Sequence, residues 1–467
     1  MSGIGVGIRS GRAVRAGWKR RGLTVAVVAA LVLPGMAWAQ SAKERELEAR
    51  IVQLEQQLQA LMAQQQQQQV QLGQAQTRIE EAQTRIEAVD SKVVVAPAGK
   101  PPIQAVSLVP AAAPGTTIKI GGYVKADFMA TRTGDGQLPD AAVGRALYVP
   151  SQTPVGGSAS DVDYDAHAKF SRLNLGIDSV TEGGGKMGAM FEVDFFGNSL
   201  GNQNATNTYG VTLRHAYMYW NEWLAGQTWS NFMDTTAFPE TVDFIGPTDG
   251  IIFVRQAQVR YTKGGFSASL ENPETTLVGV ASSDRGAVPD LTLRYGWKGD
   301  WGSFGVGALV RELKIDNGVT DDSRFGGGIT LGGKWVLGAN DDLRYQVTAG
   351  QGIARYIGLG VTGDAAVDVL AGELDATGVL AGFVGWRHAF SPKLRSNIVY
   401  ARSDYDNDAL LTGLGATRSV HSLRANLFYS PLPKVDVGAE LMYGQRKVES
   451  GADGDITRLQ FTTKYSF

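Results

Sequence analysis

The chain closes with Ile456-Thr457-Arg458-Leu459-Gln460-Phe461-Thr462-Thr463-Lys464-Tyr465-Ser466-Phe467. Leu459, Phe461, Tyr465 and Phe467 share one parity. Arg458, Gln460, Thr462 and Lys464 share the other. Period-two alternation predicts a strand with one apolar and one polar face. A chain that ends flush on an aromatic residue of such a strand suits a membrane barrel, whose last strand closes against its first. The alternative is the last strand of a soluble β-sandwich, and the rest of the sequence decides between them.

From Thr117 onward the same alternation recurs, and sixteen amphipathic strands can be read. In the first, Ile118, Ile120, Val124, Ala126 and Phe128 alternate with Lys119, Tyr123, Lys125 and Asp127. In the third, Met187, Ala189, Phe191, Val193 and Phe195 alternate with Glu192 and Asp194. Segments 325–335 and 379–390 alternate poorly and leave their inward face open.

The connections are more telling than any one strand. Long segments near 131–165, 197–210, 233–254, 272–289, 313–324, 358–377, 404–418 and 446–455 alternate with short turns near 180–185, 221–222, 263–265, 298–302, 338–341, 391–393 and 430–433. Outer-membrane barrels have short periplasmic turns and long outer loops, whereas a sandwich has no reason to gather its long loops at one end. Trp220, Trp223, Trp297, Trp301, Trp335 and Trp386 all fall beside short turns, as an aromatic girdle at one membrane interface would. The expected fold class is all-β, a 16-stranded antiparallel transmembrane β-barrel.

The segments before the barrel have their own signatures. Residues 1–39 read as an export signal, with six bases (Arg9, Arg12, Arg15, Lys19, Arg20, Arg21), an apolar run from Leu23 to Leu33, and Ala37-Trp38-Ala39 as a cleavage site. Pro34 and the shortness of the run argue against a membrane anchor. Residues 40–93 read as a helical coiled coil. Leu47, Ile51, Leu54, Leu58 and Leu61 alternate steps of four and three, and the register carries to Val93 through polar Gln65 and Gln68. These heptads do not fix the number of strands in the coil. Residues 94–116 hold five of the 16 prolines and read as an extended linker. The barrel then occupies 117–467.

Six of the 44 bases lie in the signal, so the remainder carries 38 bases against 46 acids, a net −8. That excludes a general nucleic-acid binder. There is no cysteine. His167, His215, His388 and His421 stand apart with no metal-ligand spacing. No G-x-S-x-G motif occurs, and Gly326-Gly327-Gly328 lies inside a strand. No catalytic residue, metal or cofactor is expected.

Sixteen strands enclose an interior too wide for side chains to fill, and an aqueous channel remains. Inward parity collects Arg172, Arg214, Arg260, Arg294, Arg311, Arg424 and Arg458 as a pore-lining basic wall. The acids Asp178, Glu192, Asp194, Glu271, Asp290, Asp436 and Glu440 share that face. The third long loop carries Asp234, Glu240, Asp243 and Asp249 with no lysine or arginine in 233–254. Its Phe238, Phe244, Ile251, Ile252 and Phe253 suit a loop folded back into the barrel; the alternative is an outward loop packed on a neighbouring subunit. The expected arrangement sets the acidic loop opposite the basic wall across the narrowest point.

The order of these segments resembles the DcaP-like outer-membrane porins. The resemblance is carried by Ile120-Gly121-Gly122-Tyr123-Val124-Lys125, Arg214-His215-Ala216-Tyr217, Gly226-Gln227-Thr228-Trp229-Ser230, Glu271-Asn272-Pro273-Glu274, Val288-Pro289-Asp290 and the closing Leu459–Phe467. It implies a homotrimer in outer-membrane lipid with a periplasmic N-terminal coiled coil. It also implies passive uptake of small, preferentially anionic solutes such as dicarboxylates, through a constriction formed by the third loop. Two other classes compete: a tether whose coiled coil holds the cell wall or a periplasmic partner, and a barrel enzyme. A tether calls for a plugged or narrow barrel and an enzyme for a clustered site, and neither is legible.

Overall fold

The computed structural model describes residues 116–467 apart from 141, 182, 198–208 and 281–285. The expected signal, coiled coil and nearly all of the linker lie outside the described residues.

Alternation becomes strand wherever the outward residues are apolar. The elements are β1 (Thr117–Thr133), β2 (Asp163–His167), β3 (Arg172–Val180), β4 (Lys186–Gly197), β5 (Gly210–Trp220), β6 (Trp223–Trp229), β7 (Arg255–Lys263), β8 (Phe266–Glu271) and β9 (Asp290–Gly299). There follow β10 (Gly302–Asp316), β11 (Asp321–Leu337), β12 (Asp341–Gln351), the small hairpin β13 (Ala365–Asp368) and β14 (Glu373–Ala376), β15 (Gly378–Ser391), β16 (Leu394–Asp406), β17 (Thr417–Tyr429), β18 (Val435–Val448) and β19 (Asp453–Ser466). Outside the hairpin every strand pairs antiparallel with its neighbours, and β19 pairs back onto β1 from Tyr123↔Ser466 to Thr133↔Ile456. The Phe467 amide adds a bond to the Gly122 carbonyl at 3.1 Å. The last strand does close the barrel on the first.

The sheet has 17 strands, but β2 and β3 both pair with β1 and together make one crossing. The break at 168–171 turns Phe170 fully inside, where it stacks on Phe244 with ring centroids 4.0 Å apart. The result is a closed 16-stranded antiparallel barrel.

The outward face is apolar. Ile120, Val124 and Phe128 are exposed on β1, while Lys125 and Asp127 between them are buried. Trp220, Trp223, Trp297, Trp301, Trp335 and Trp386 are all 44–59% exposed beside the short turns. Trp229, the seventh beyond the signal, packs instead against the interior cluster. Asn221, in the two-residue turn between β5 and β6, holds φ at 51°, the left-handed conformation that Asn tolerates and tight hairpins need.

Two expected loops are shorter than read. Residues 317–320 alone join β10 to β11, and 449–452 alone join β18 to β19. Polar residues there keep alternating, so the ladders continue beyond the apolar band.

The interior is occupied by loops. The segments 134–162, 230–254 and 352–377 bring Leu147, Tyr148, Phe232, Ile251, Ile252, Ile353, Tyr356 and Ile357 inside, each buried to below 1% exposure. This explains the ambiguous parity of 379–390: inward Val379, Ala381 and Phe383 are apolar because they pack against those loops. Gly250 lies so close to the wall that a Cβ there would meet the Gly382 carbonyl oxygen, which only glycine permits.

Candidate functional site: the inner loop and the charged lumen

Segment 230–254 leaves the end of β6 and returns at β7, and the Ser230 amide donates to the Val254 carbonyl across its base. Between those ends it travels round the inner wall. Asp234 meets Arg294 of β9 at 2.7 Å. The Phe238 carbonyl accepts from Arg344 of β12. Glu240 receives Arg395 of β16 on both oxygens, at 2.7 and 2.6 Å. The Val242 amide donates to Glu440 of β18, and its carbonyl accepts from Lys125 of β1 at 3.2 Å. Phe244 reaches Phe170, with Arg172 and Arg214 over its ring. The loop therefore folds inward, and the outward alternative fails.

Its acids do not face a basic wall across open space. Asp234 and Glu240 pair with the wall the loop lies on. Asp243 accepts from the Tyr148, Ile245 and Gly246 amides and shapes the turn at the tip. Asp249 is fully buried and accepts from the Tyr148 hydroxyl at 2.8 Å and from Ser422. Burial pushes its carboxyl up to about 6, because a charge withdrawn from water favours the protonated form. The opposed arrangement expected from the sequence is corrected accordingly: docking a loop into a low-dielectric interior requires each of its charges to find a partner.

All seven predicted arginines project inward, in two groups. Arg311, Arg424 and Arg458 are buried under the loops. Arg311 bridges Asp290 at 3.3 Å and Asp364 at 3.0 Å, Arg424 faces Glu440 at 3.6 Å, and Arg458 donates to Thr131. They hold loops to the wall and do not line accessible space. Arg214, also buried, is shared between Glu192 and Asp194 at 2.8 Å each, and Arg172 lies 3.5 Å from Glu192. Arg260 donates to Gln258 at 2.8 Å and to the Trp229 carbonyl. Arg294 keeps 22% of its side chain exposed.

Five further bases share the lumen between the short turns and the inner loop: Lys334, Arg344, Arg387, Arg395 and Lys464. Arg344 and Arg387 share Asp342 at 2.7 and 3.6 Å, and Lys464 meets Asp436 at 3.1 Å. With Arg260 and Arg294 they make seven bases against Asp234, Glu240, Asp342 and Asp436, beside the mutually neutralising Lys119–Asp178 pair at 2.6 Å near the 180–185 turn. Arg260 and Lys334 have no carboxylate within ion-pair distance among the described residues. Parity could have found Arg344 and Arg395, but not Arg387, which lies in the poorly alternating 379–390. Arg255 was beyond it: it sits where β7 meets the loop, its guanidinium 4.4 Å over the Trp229 ring.

A family model described as DcaP outer membrane protein matches residues 32–467. Among solved structures, the outer membrane channel DcaP of Acinetobacter baumannii is 26% identical, with a TM-score of 0.64, covering 76% of this chain and 98% of that one. An anion-selective porin from Comamonas acidovorans follows at 13% identity and TM-score 0.47, covering 75% of this chain and all of that one. OmpF of Salmonella typhi, in complex with daunomycin, is 12% identical at TM-score 0.46, covering 76% of this chain and 98% of its own. No curated protein matches the chain. A closed sixteen-stranded barrel with a folded-in loop, matched along nearly its whole length by one family, is an outer-membrane porin, and the chain belongs to the DcaP outer membrane protein family.

Proposed function

We propose that this porin admits small anionic solutes by passive diffusion, without chemistry on them. The observation that carries the reading is the excess of bases between the short turns and the inner loop, with Arg260 and Lys334 outside any ion pair among the described residues. Asp234 and Glu240 of the loop each neutralise a wall arginine, Arg294 and Arg395, and the excess remains after they are counted. A solute squeezed past the loop sheds part of its water, and fixed charges then weigh more than in bulk. Guanidinium groups stay charged at physiological pH and fork onto carboxylates. Residues spaced round the wall would pass a dicarboxylate along, each holding it weakly enough for release. The inner loop is the constriction in this reading.

We also propose a homotrimer in outer-membrane lipid. After removal of residues 1–39, residues 40–93 form a periplasmic coiled coil joined through 94–116 to the barrel. The heptads and the family support both statements. The test of the solute class is liposome swelling. Reconstituted protein should swell vesicles faster in a C4 dicarboxylate than in a diamine of the same length. Equal rates, or faster entry of the diamine, would remove the anionic reading and leave the porin.

A further inference from the structure

We propose that Arg255 is a carboxylate-binding site at the loop end of the lumen, where an anionic solute is held before it passes the inner loop. The inference rests on the anionic reading above. It adds a residue that stands apart from the seven bases on the turn side of that loop.

Position is the first observation. β6 runs from its turn to Trp229 and β7 returns from Arg255, so these two residues, partners in register, stand at the base of the inner loop. Trp229 and Phe253 pack on the interior cluster, with ring centroids 4.9 Å apart. The Arg255 guanidinium lies 4.4 Å from the Trp229 centroid and 5.5 Å from that of Phe253. Rings held by a packed core keep a planar cation in one place, and they answer its charge only in part.

Charge balance is the second observation. Arg255 has Arg214 and Arg172 as charged neighbours, together with Asp194 and Glu192. Arg214 takes both of those carboxylates at 2.8 Å, and Arg172 lies 3.5 Å from Glu192. Three guanidinium groups thus share two carboxylates, and Arg255 is the one left over. Among the described residues no carboxylate stands within ion-pair distance of it, and none of its guanidinium N–H groups meets an acceptor. Its neighbours differ: Arg260 donates to Gln258, and Arg294 meets Asp234.

The free donors select the ligand. Nη1 is covered, which leaves Nε and Nη2, the side of the fork that takes both oxygens of a carboxylate. The residue is half-buried, so a solute can reach that edge while the rings keep water from the face, and the contact is stronger than in bulk water. Arg260 lies five residues further along the same strand, about 13 Å toward the turn side at ~3.3 Å per residue and ~40° of tilt. The Trp229 carbonyl accepts from Arg260, so one residue backs both positions. A carboxylate released by Arg255 has its next guanidinium down the same strand.

Binding is read in planar bilayers as the reduction of potassium chloride current by succinate, with neutral succinamide as the control. Arg255→Gln should conduct as the wild type does and raise the half-saturating succinate concentration about tenfold, the loss of one charge-assisted contact. Succinamide should act on neither. The wild-type protein supplies a second reading that depends on no variant. At about ten times its half-saturating concentration, succinate should slow phenylglyoxal modification of Arg255 about tenfold by occupancy, measured by peptide mass spectrometry. Arg402, exposed on the outer face of β16, should react alike with and without it. A conducting Arg255→Gln channel with wild-type succinate affinity, an Arg255 that succinate does not protect, or a wild-type current insensitive to succinate would overturn the proposal. The anionic reading is judged separately on the swelling rates, and a channel that admits succinate faster than the diamine without holding it at Arg255 loses this site alone.

Discussion

Glu240, at the far reach of the inner loop, is held by Arg395 on both carboxylate oxygens, across 155 residues of sequence. Arg395 also meets Asp436 at 3.1 Å and the Ser430 hydroxyl at 2.7 Å. The planar guanidinium thus fixes the loop to two wall strands at once. The pair is partly exposed, so water weakens it relative to a buried one, but its bidentate geometry is the strong kind.

Removing either partner should loosen the loop. Arg395→Ala and Glu240→Ala are each expected to cost on the order of 1–2 kcal/mol of loop docking. Single-channel recordings should show a noisier open state in both. A double-mutant cycle on thermal stability checks the pairing, since the two losses should not add. Additive losses would mean that the two residues act separately.

Arg311 should behave differently from the accessible bases. It is fully buried between Asp290 and Asp364, so Arg311→Ala leaves Asp364 without its cation and Asp290 with Arg355 alone, at 3.8 Å. A loss of about 3–5 kcal/mol is expected, read as a lower heat-modification temperature or as failure to assemble. Lys334→Glu and Arg260→Glu, which orphan no carboxylate, should keep stability near wild type and move the reversal potential toward cations. Stable Arg311→Ala protein with altered selectivity would reverse this division of roles.

The pH dependence of loop docking should carry the mark of Asp249. Its carboxyl is raised from 3.8 to about 6 by burial, so the fold prefers it protonated. Its contribution is fully present below about pH 3.8, declines as pH rises, and is gone above about 6. A tenfold difference in proton affinity between the folded and unfolded chain is worth about 1.4 kcal/mol. Thermal unfolding of the wild type against Asp249→Asn, from pH 4 to 8, should show a slope between pH 4 and 6 that the variant lacks. Identical profiles would remove Asp249 as the titrating group.

Topology can be read on whole cells. A short tag at Leu370, which is fully exposed at the tip of the β13–β14 hairpin, should be accessible to antibody. A tag in the turn at 300–301 should not be. The stretch 143–152 is a poor site despite lying in a long loop, because Leu147 and Tyr148 are buried inside the barrel. Reversed access would invert the orientation.

The barrel was legible because period-two alternation depends only on which face meets lipid. The outward residues of β1 and β4 could be named from sequence alone. Alternation failed in 379–390 because both faces there are apolar, one toward lipid and one toward the inner loops. The same loops explain the division among the arginines. Arg311 and Arg260 have the same parity, and nothing local says that one is covered by segment 352–377. Loop composition left the inward fold of 233–254 as one of two readings and gave none of its partners. Ion pairs such as Arg395–Glu240 join residues far apart in sequence, and their register is set by closure of the whole barrel.

The central claim is that an excess of fixed positive charge governs passage through the lumen. Its most direct test is the zero-current potential of the wild-type channel in a planar bilayer separating two concentrations of potassium chloride. The account predicts a reversal potential of the sign set by chloride, shrinking toward zero as ionic strength rises and screening shortens the reach of the charges. A reversal potential of the sign set by potassium would contradict it.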